Sequence, residues 1–105
     1  MLRLACRELP NVTVEHSEGL QADYARTHGI RVIVKGIRDA VDLAYETQIG
    51  EVNRTLEPTL ETVFLPSRPA HTVISSTVIR EMLKYHKSIA PYVSPAVEDY
   101  IRNRI

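Results

Sequence analysis

The spacing of apolar and polar residues predicts a chain in which helices alternate with strands. Residues 1–9 show an amphipathic helical pattern, and residues 12–16 form a short alternating run with β-branched side chains. A second helical stretch begins after Gly19 and ends at Gly29. Ile30–Val34 is almost wholly apolar, which is typical of a strand that is covered on both faces in a parallel sheet.

A longer helix is predicted from an N-cap at Asp39 to Leu56, where Glu57-Pro58 ends it. One stripe of this helix is apolar, and we expect that stripe to pack on the sheet. Beside it runs a polar stripe, which we expect at the edge of the buried face. The apolar stripe consists of Val41, Tyr45, Ile49, Val52 and Leu56, and the polar stripe of Asp42, Glu46 and Asn53.

The remainder of the chain predicts one more strand, Thr62–Leu65, and two more helices. The first helix starts around Ser75–Thr77, and the second has Ser94 as its N-cap and points Ile105 inward. Strands that alternate with helices favour an α/β fold with a parallel sheet, here as a single domain over residues 1–105.

Composition excludes several classes of protein. Thirteen basic residues balance thirteen acidic ones, so no field of one sign would draw the chain onto nucleic acid or an anionic membrane. No apolar run is long enough to span a bilayer. The single cysteine, Cys6, suits a reducing compartment, and we expect a cytoplasmic protein. The four histidines lack the spacing of metal ligands, so the pattern assigns no metal site.

Candidate chemistry lies in loops at the carboxyl ends of the predicted strands, where ligands bind in such sheets. Lys35–Arg38 joins a strand to a helix and combines a glycine with two cations, which could hold a phosphate together with the helix N-terminal amides. The alternative is an ordinary loop in which the glycine permits the backbone conformation and the two cations increase solubility.

The segment Ile74–Arg80 offers a second anion site, since three consecutive hydroxyls precede an arginine at a helix start. One hydroxyl would suffice as an N-cap, so an ordinary cap with polar neighbours is the alternative. Both segments are predicted at the same end of the sheet, which favours one polyanionic nucleotide as their common ligand. Asp42 and Glu46 would then accept hydrogen bonds from its ribose or base, or pair with Arg38 as structural support.

Taken together, these segments resemble bacterial phosphopantetheine adenylyltransferase, a nucleotidyltransferase with a Rossmann-like sheet. The resemblance covers nearly the whole chain. The matching segments are Gly19-Leu20 with Asp23–Arg26, Val32–Arg38 with Asp42, Tyr45-Glu46, Gln48 and Asn53-Arg54, then Val63–Leu65 and Ile74–Arg80.

The resemblance implies transfer of adenylyl from ATP, with Mg²⁺, to 4′-phosphopantetheine, giving dephospho-coenzyme A and pyrophosphate in coenzyme A biosynthesis. It places Lys35, Leu20 and Gln21 at the phosphopantetheine, although Gln21 departs from the apolar residue usual there. It also implies a homohexamer. The ATP contacts it implies are Gly36, Ile37, Arg38, Glu46, His71, Thr72, Val73, Ile74, Ser75, Ser76 and Thr77.

One part of the family pattern is absent from the sequence. The P-G-[ST]-F-D-P-x-x-x-G-H segment, whose histidine stabilises the transferring phosphate, does not occur in these residues, so no catalytic residue is assigned. We therefore expect the C-terminal two-thirds of the enzyme, without turnover on its own and with a gap where two N-terminal strands would stand. The alternative functions are a non-catalytic module that binds nucleotide or coenzyme A, and an assembly fragment that a separate N-terminal segment completes.

Overall fold

The computed structural model describes residues 1–104, so the predicted inward position of Ile105 lies outside the described residues. The helices and strands fall in an α/β order, and the two strands are parallel. The elements are α1 (Leu2–Ala5), α2 (Gln21–Thr27), β1 (Val32–Ile37), α3 (Ala40–Leu56), β2 (Glu61–Pro66), a 3-10 turn (Pro69–His71), α4 (Ser76–Lys84) and α5 (Pro95–Arg102). The predicted α/β class with a parallel sheet is confirmed.

Contacts divide the chain into two compact units. Ser17–Thr72 forms the strand unit, which contains the sheet with α2 and α3. Met1–His16 and the residues from Val73 onward form the helical unit, which contains α1, α4 and α5. The single domain inferred from the sequence stays a prediction.

The core of the strand unit is small and forms where α2 meets the residues around the strands. Ala22, Ala25 and Leu60 are fully buried there, and Ile33 packs against them. Gly29 has φ +67, and the amide of Ile30 donates to the carbonyl of Ala25 at 2.8 Å. Gly29 therefore ends α2 as predicted, because a glycine in the left-handed region lets the next amides reach back to the last turn.

This capping turn also corrects the predicted position of the first paired strand. Ile30 completes the helix cap, and the carbonyl of Arg31 accepts the amide of Glu61 at 2.8 Å. Strand β1 itself begins at Val32 and continues to Ile37, beyond the predicted end at Val34. Gly36 pairs with Leu65 and Ile37 with Pro66, and the amide of Ser67 donates to the carbonyl of Ile37 at 2.8 Å. Lys35 and Gly36, predicted in a loop, are consequently strand residues.

The predicted covering of this sheet on both faces is wrong for the described residues. Ile33, Lys35 and Ile37 face the packed side, whereas Val32 and Val34 on the other side are 50% and 59% exposed. Two parallel strands with helices packed on one side leave the opposite side to solvent.

Residues 12–16, predicted to be a strand, do not form one. Among residues 1–104 the paired strands are β1 and β2. β-branched side chains favour a strand only where a neighbouring strand accepts its backbone hydrogen bonds, so the residue pattern alone was insufficient. The N-terminal helix is likewise shorter than the predicted residues 1–9, since α1 ends at Ala5.

Helix α3 has the predicted bounds, but the roles of its two stripes are inverted. Val41 and Tyr45 of the apolar stripe are 77% and 62% exposed, whereas Asn53 of the polar stripe is buried. The strand face opposite the helix presents Lys35, and Glu46 lies against it. Gly50 allows the close approach, because a Cβ added there would lie 3.3 Å from Thr62 Oγ1. The polar stripe therefore faces the sheet, where Glu46 pairs with the cation on β1.

Helices α4 and α5 of the helical unit agree with their predicted starts. Ser75 caps α4, and Pro95 occupies the first turn of α5 after the N-cap Ser94. Ile89, between the two helices in sequence, is fully buried. The apolar side chains predicted to face inward are half-buried in the described part of the chain: Val78, Ile79, Met82 and Leu83 on α4, and Val97, Tyr100 and Ile101 on α5. Within the described part of the chain, no helix combines the length and apolar character needed to cross a bilayer.

Candidate functional site

The strand unit contains a cleft of about 520 Å³ that brings three predicted site residues together. Lys35, Leu20 and Gln21, which the sequence predicted at the phosphopantetheine, all line it. Its other lining residues are Gly19, Gln48, Ile49, Val52, Asn53 and Leu56. The cleft therefore combines one cation, three polar side chains and an apolar wall.

Local backbone geometry places the first residues of this cleft. Gly19 has φ +113, a conformation that side chains with a Cβ rarely adopt, and it turns the chain into α2. Leu20 is the N-cap residue of α2 in extended conformation, and Gln21 is the first helical residue. Leu20 and Gln21 thus sit at the helix start rather than on its buried face.

The apolar wall of the cleft comes from α3 and was misassigned by the helical periodicity. Ile49, Val52 and Leu56 belong to the stripe that was predicted to pack on the sheet. The structure places these three residues in one wall of the cleft, although the helical pattern predicted them to be core residues. The one signal in the sequence was the polar stripe of Asp42, Glu46 and Asn53, of which Glu46 pairs with Lys35 and Asp42 with Arg38.

Lys35 forms an ion pair with Glu46 behind the cleft. The distance from Lys35 Nζ to Glu46 Oε2 is 3.5 Å, and the two side chains are 25% and 21% exposed. Glu46 Oε2 is itself buried without a hydrogen bond. Since charge-assisted hydrogen bonds are typically about 2.7–2.9 Å long, this contact is an ion pair rather than a hydrogen bond. Glu46 does not line the cleft.

The junction of β1 and α3 contains the predicted nucleotide residues Gly36, Ile37 and Arg38. The backbone amide and Nε of Arg38 each donate to Asp42 Oδ2 at 3.2 Å. Asp39 Oδ1 accepts the amide of Asp42 at 2.8 Å and so caps the helix. Of the alternatives left open, structural support for Arg38 therefore comes from Asp42, while Glu46 pairs with Lys35. A Cβ added at Gly36 would meet no atom within 4 Å, so its backbone is open to approach.

His71 and Thr72 follow β2, at the other end of the strand unit's sequence. His71 ends the 3-10 turn and is exposed. Thr72 Oγ1 donates to the carbonyl of Pro69 at 2.8 Å, which fixes its side chain locally. Neither residue lines the cleft that holds Lys35.

In the helical unit, the start of α4 contains the other predicted nucleotide residues. Ser75 Oγ accepts the amide of Val78 at 3.2 Å and is the cap. Ser76 and Thr77 are exposed, and Arg80 Nη2 lies 3.5 Å from Thr77 Oγ1. Val73 is exposed, whereas Ile74, Ser75 and Ser76 line a mostly apolar cavity of about 530 Å³ with residues of α1, α4 and α5.

The described residues do not form a metal site of their own. No three histidine, cysteine or acidic side chains among residues 1–104 group closely enough to hold a metal ion.

The described residues thus form an α/β arrangement with parallel strands, a cation on a partly apolar cleft and a hydroxyl-rich helix start. Comparison with known proteins identifies relatives of this chain. The chain is 43% identical over 104 residues to a phosphopantetheine adenylyltransferase of Wolinella succinogenes, covering 99% of the chain and 65% of that relative. It is 41% identical over 104 residues to the Symbiobacterium thermophilum protein of the same name, covering 64% of it.

A third relative of that name, from Thermobifida fusca, is 37% identical over 102 residues, which are 97% of the chain and 62% of the relative. No family model matches the sequence. The resemblance found from the sequence is thus confirmed: the chain is a relative of phosphopantetheine adenylyltransferases, a group of nucleotidyltransferases, and spans about 65% of the length of the first of them.

Proposed function

We propose that this chain binds 4′-phosphopantetheine and ATP as part of a phosphopantetheine adenylyltransferase of coenzyme A biosynthesis. In that reaction a phosphate oxygen of 4′-phosphopantetheine attacks the α-phosphorus of ATP, the bond to the β-phosphate oxygen breaks, and pyrophosphate leaves. Dephospho-coenzyme A is the other product. The proposal is supported by relatives of that name over almost the whole chain.

The observation that supports it best is the cleft of the strand unit. A phosphate ester with an extended arm needs a cation for its phosphate and apolar surface for the arm, and the cleft offers Lys35 beside Leu20 and the α3 wall. Gln21 at its mouth can donate to or accept from an amide of the arm. We assign the phosphate of 4′-phosphopantetheine to Lys35.

For ATP, we propose contacts at the exposed hydroxyls and amides that begin α4. Ser75 alone serves as the cap, so the exposed hydroxyls of Ser76 and Thr77 are not needed for capping. The N-terminal amides of a helix favour a phosphate. Mg²⁺ is proposed only as the companion of the nucleotide phosphates. Gly36, Ile37, Arg38, Glu46, His71, Thr72 and Val73 remain proposed nucleotide contacts on the resemblance alone.

Two further properties are proposed on the same basis. A homo-oligomer, hexameric as the resemblance implies, is supported by the exposed apolar side chains of Val41 and Tyr45 on α3. Light scattering of the purified chain measures its mass. A cytoplasmic location is proposed because the single cysteine suits a reducing compartment.

The test of phosphopantetheine binding compares a charged ligand with its uncharged form. Calorimetric titration is expected to show that 4′-phosphopantetheine binds at least tenfold more tightly than pantetheine, since a hydrogen-bonded charge contributes about 1.5–3 kcal/mol. Lys35→Met should abolish most of this difference. Lys87→Met, which removes an exposed lysine of the helical unit, is the matched control and should preserve it. Equal binding of the two ligands by the unaltered chain would refute the proposed site.

Adenylyl transfer is tested separately from binding. With ATP, Mg²⁺ and 4′-phosphopantetheine, pyrophosphate release by this chain is expected to be negligible, because no Gly-His pair of the phosphate-stabilising motif occurs in the sequence. Binding without release agrees with this expectation and also with the non-catalytic binding function. Release at the rate of a complete enzyme would contradict the expectation.

A further inference from the structure

Lys35 is the cation of the cleft, yet it does not offer a free positive charge. Its Nζ lies 3.5 Å from Glu46 Oε2, and both side chains are about three-quarters buried or more. Formal charges of opposite sign at this distance and burial largely cancel toward a more distant anion. The cleft is therefore close to electrically neutral at the point where the phosphate is assigned.

Lys35 also compensates the charge of Glu46. Glu46 Oε2 is buried and has no hydrogen-bond partner, so Lys35 is the group that compensates its charge. Because Lys35 lines the cleft and Glu46 does not, a ligand in the cleft contacts Lys35 but not the carboxylate. An incoming phosphate then shares Lys35 with this carboxylate and is repelled by the carboxylate itself.

The rest of the lining determines what can bind under these conditions. A small inorganic anion interacts only with Lys35, whose charge Glu46 already compensates. A phosphate ester with an apolar body also gains contacts with Leu20, Ile49 and Val52. Pantetheine makes the same apolar contacts without a phosphate, so the preference for the phosphorylated ligand decreases as the free charge on Lys35 decreases.

Resting on the proposed function of this cleft, we propose that Glu46 is an internal counter-ion that weakens phosphate binding at Lys35 and so lowers the preference of the cleft for 4′-phosphopantetheine over pantetheine. Glu46 acts through Lys35 and is a positioning and specificity residue, not a catalytic one. This role concerns the phosphopantetheine side of the chemistry and is independent of the predicted contact between Glu46 and the nucleotide.

The test removes the negative charge and measures three ligands by calorimetry: 4′-phosphopantetheine, pantetheine and inorganic phosphate. Glu46→Gln is expected to bind 4′-phosphopantetheine about tenfold more tightly, and inorganic phosphate to at least the same extent. Pantetheine, which has no phosphate, should bind within about twofold of the unaltered chain. A purely structural role of Glu46 would instead weaken all three ligands together.

Glu46→Ala removes the same charge without introducing an amide donor, and either variant that retains a cooperative melting transition gives the answer. Glu51→Gln is the matched control, because Glu51 is an exposed acidic residue of the same helix. It makes the same change in net charge and should leave all three affinities unchanged.

The outcomes separate this inference from the proposed function. If the unaltered chain prefers 4′-phosphopantetheine over pantetheine and loses that preference with Lys35→Met, the site is supported. Unchanged or weaker phosphate binding in Glu46→Gln would then overturn the counter-ion role alone. If the unaltered chain shows no preference for the phosphorylated ligand, the proposed site fails and the counter-ion role fails with it.

Discussion

The start of α3 and the start of α4 were both predicted to bind phosphate, but the structure gives them different electrostatics. Helix α3 is capped by Asp39, has Asp42 in its first turn, and pairs Arg38 with that same carboxylate. Helix α4 is capped by the neutral Ser75 and has no acidic residue in its first turn. Arg80 contacts only a hydroxyl, that of Thr77, among its described polar contacts.

This difference shows that capping a helix and leaving its positive end available to a ligand are separate properties. A carboxylate cap satisfies the free amides and compensates the helix dipole at once, so less remains for an anion. A hydroxyl cap satisfies an amide without adding charge. We therefore expect the start of α4 to be the better phosphate site of the two, and its affinity for phosphate to be the more sensitive to changes of charge.

The largest effect on ATP affinity is expected when the neutral cap of α4 is replaced by an acidic residue, as in the cap of α3. Ser75→Asp should retain the cap, because aspartate and serine are comparably good N-caps, and should leave the melting temperature within a few degrees. ATP affinity, measured by calorimetry with Mg²⁺, should fall about tenfold or more, since the carboxylate repels the phosphates. Unaltered ATP affinity would remove the α4 start from the proposed nucleotide site.

A somewhat smaller effect is expected from the cation of this helix start. Arg80→Met keeps the aliphatic length of the side chain and should lower ATP affinity about tenfold or less, as befits one exposed charge. Lys84→Met removes a cation from the last turn of the same helix and serves as the control. Equal losses in the two variants would mean that net charge, and not the helix start, attracts the nucleotide.

The smallest effect is expected from the reverse exchange at α3. Asp39→Ser preserves a side-chain cap but removes a negative charge near Arg38, and ATP affinity should rise about two- to threefold. Thermal melting should change little for the same reason as before. A fall in ATP affinity would show that Asp39 is needed at the junction for something other than its cap.

Local chemistry made several features of this fold predictable. Asp39 and Ser75 are N-caps because short polar side chains accept amides there, and Gly29 ends α2 because it adopts a positive φ. These features depend on residues within a few positions of one another. These features could therefore be predicted from the sequence. The parallel α/β order could be predicted because strand-like and helix-like spacings of apolar residues alternate along the chain.

The features that the sequence did not predict depend on partners distant in the chain. Helical periodicity showed two stripes on α3 but not which one faces the sheet, and the answer depended on Lys35 meeting Glu46. The same inversion placed Ile49, Val52 and Leu56 on a cleft. For the site itself, the family resemblance predicted Leu20, Gln21 and Lys35. The structure identified the other side chains that line the same cleft.

The central claim is that the cleft of the strand unit holds 4′-phosphopantetheine, and the location of the bound ligand tests it most directly. In an NMR titration of the unaltered chain, backbone signals of Leu20, Gln21, Lys35 and Gln48 should shift together on one saturation curve with one ligand per chain. Residues of α5 should not follow that curve. Saturable shifts confined to α4 and α5, with Leu20 and Lys35 unmoved, would contradict the claim.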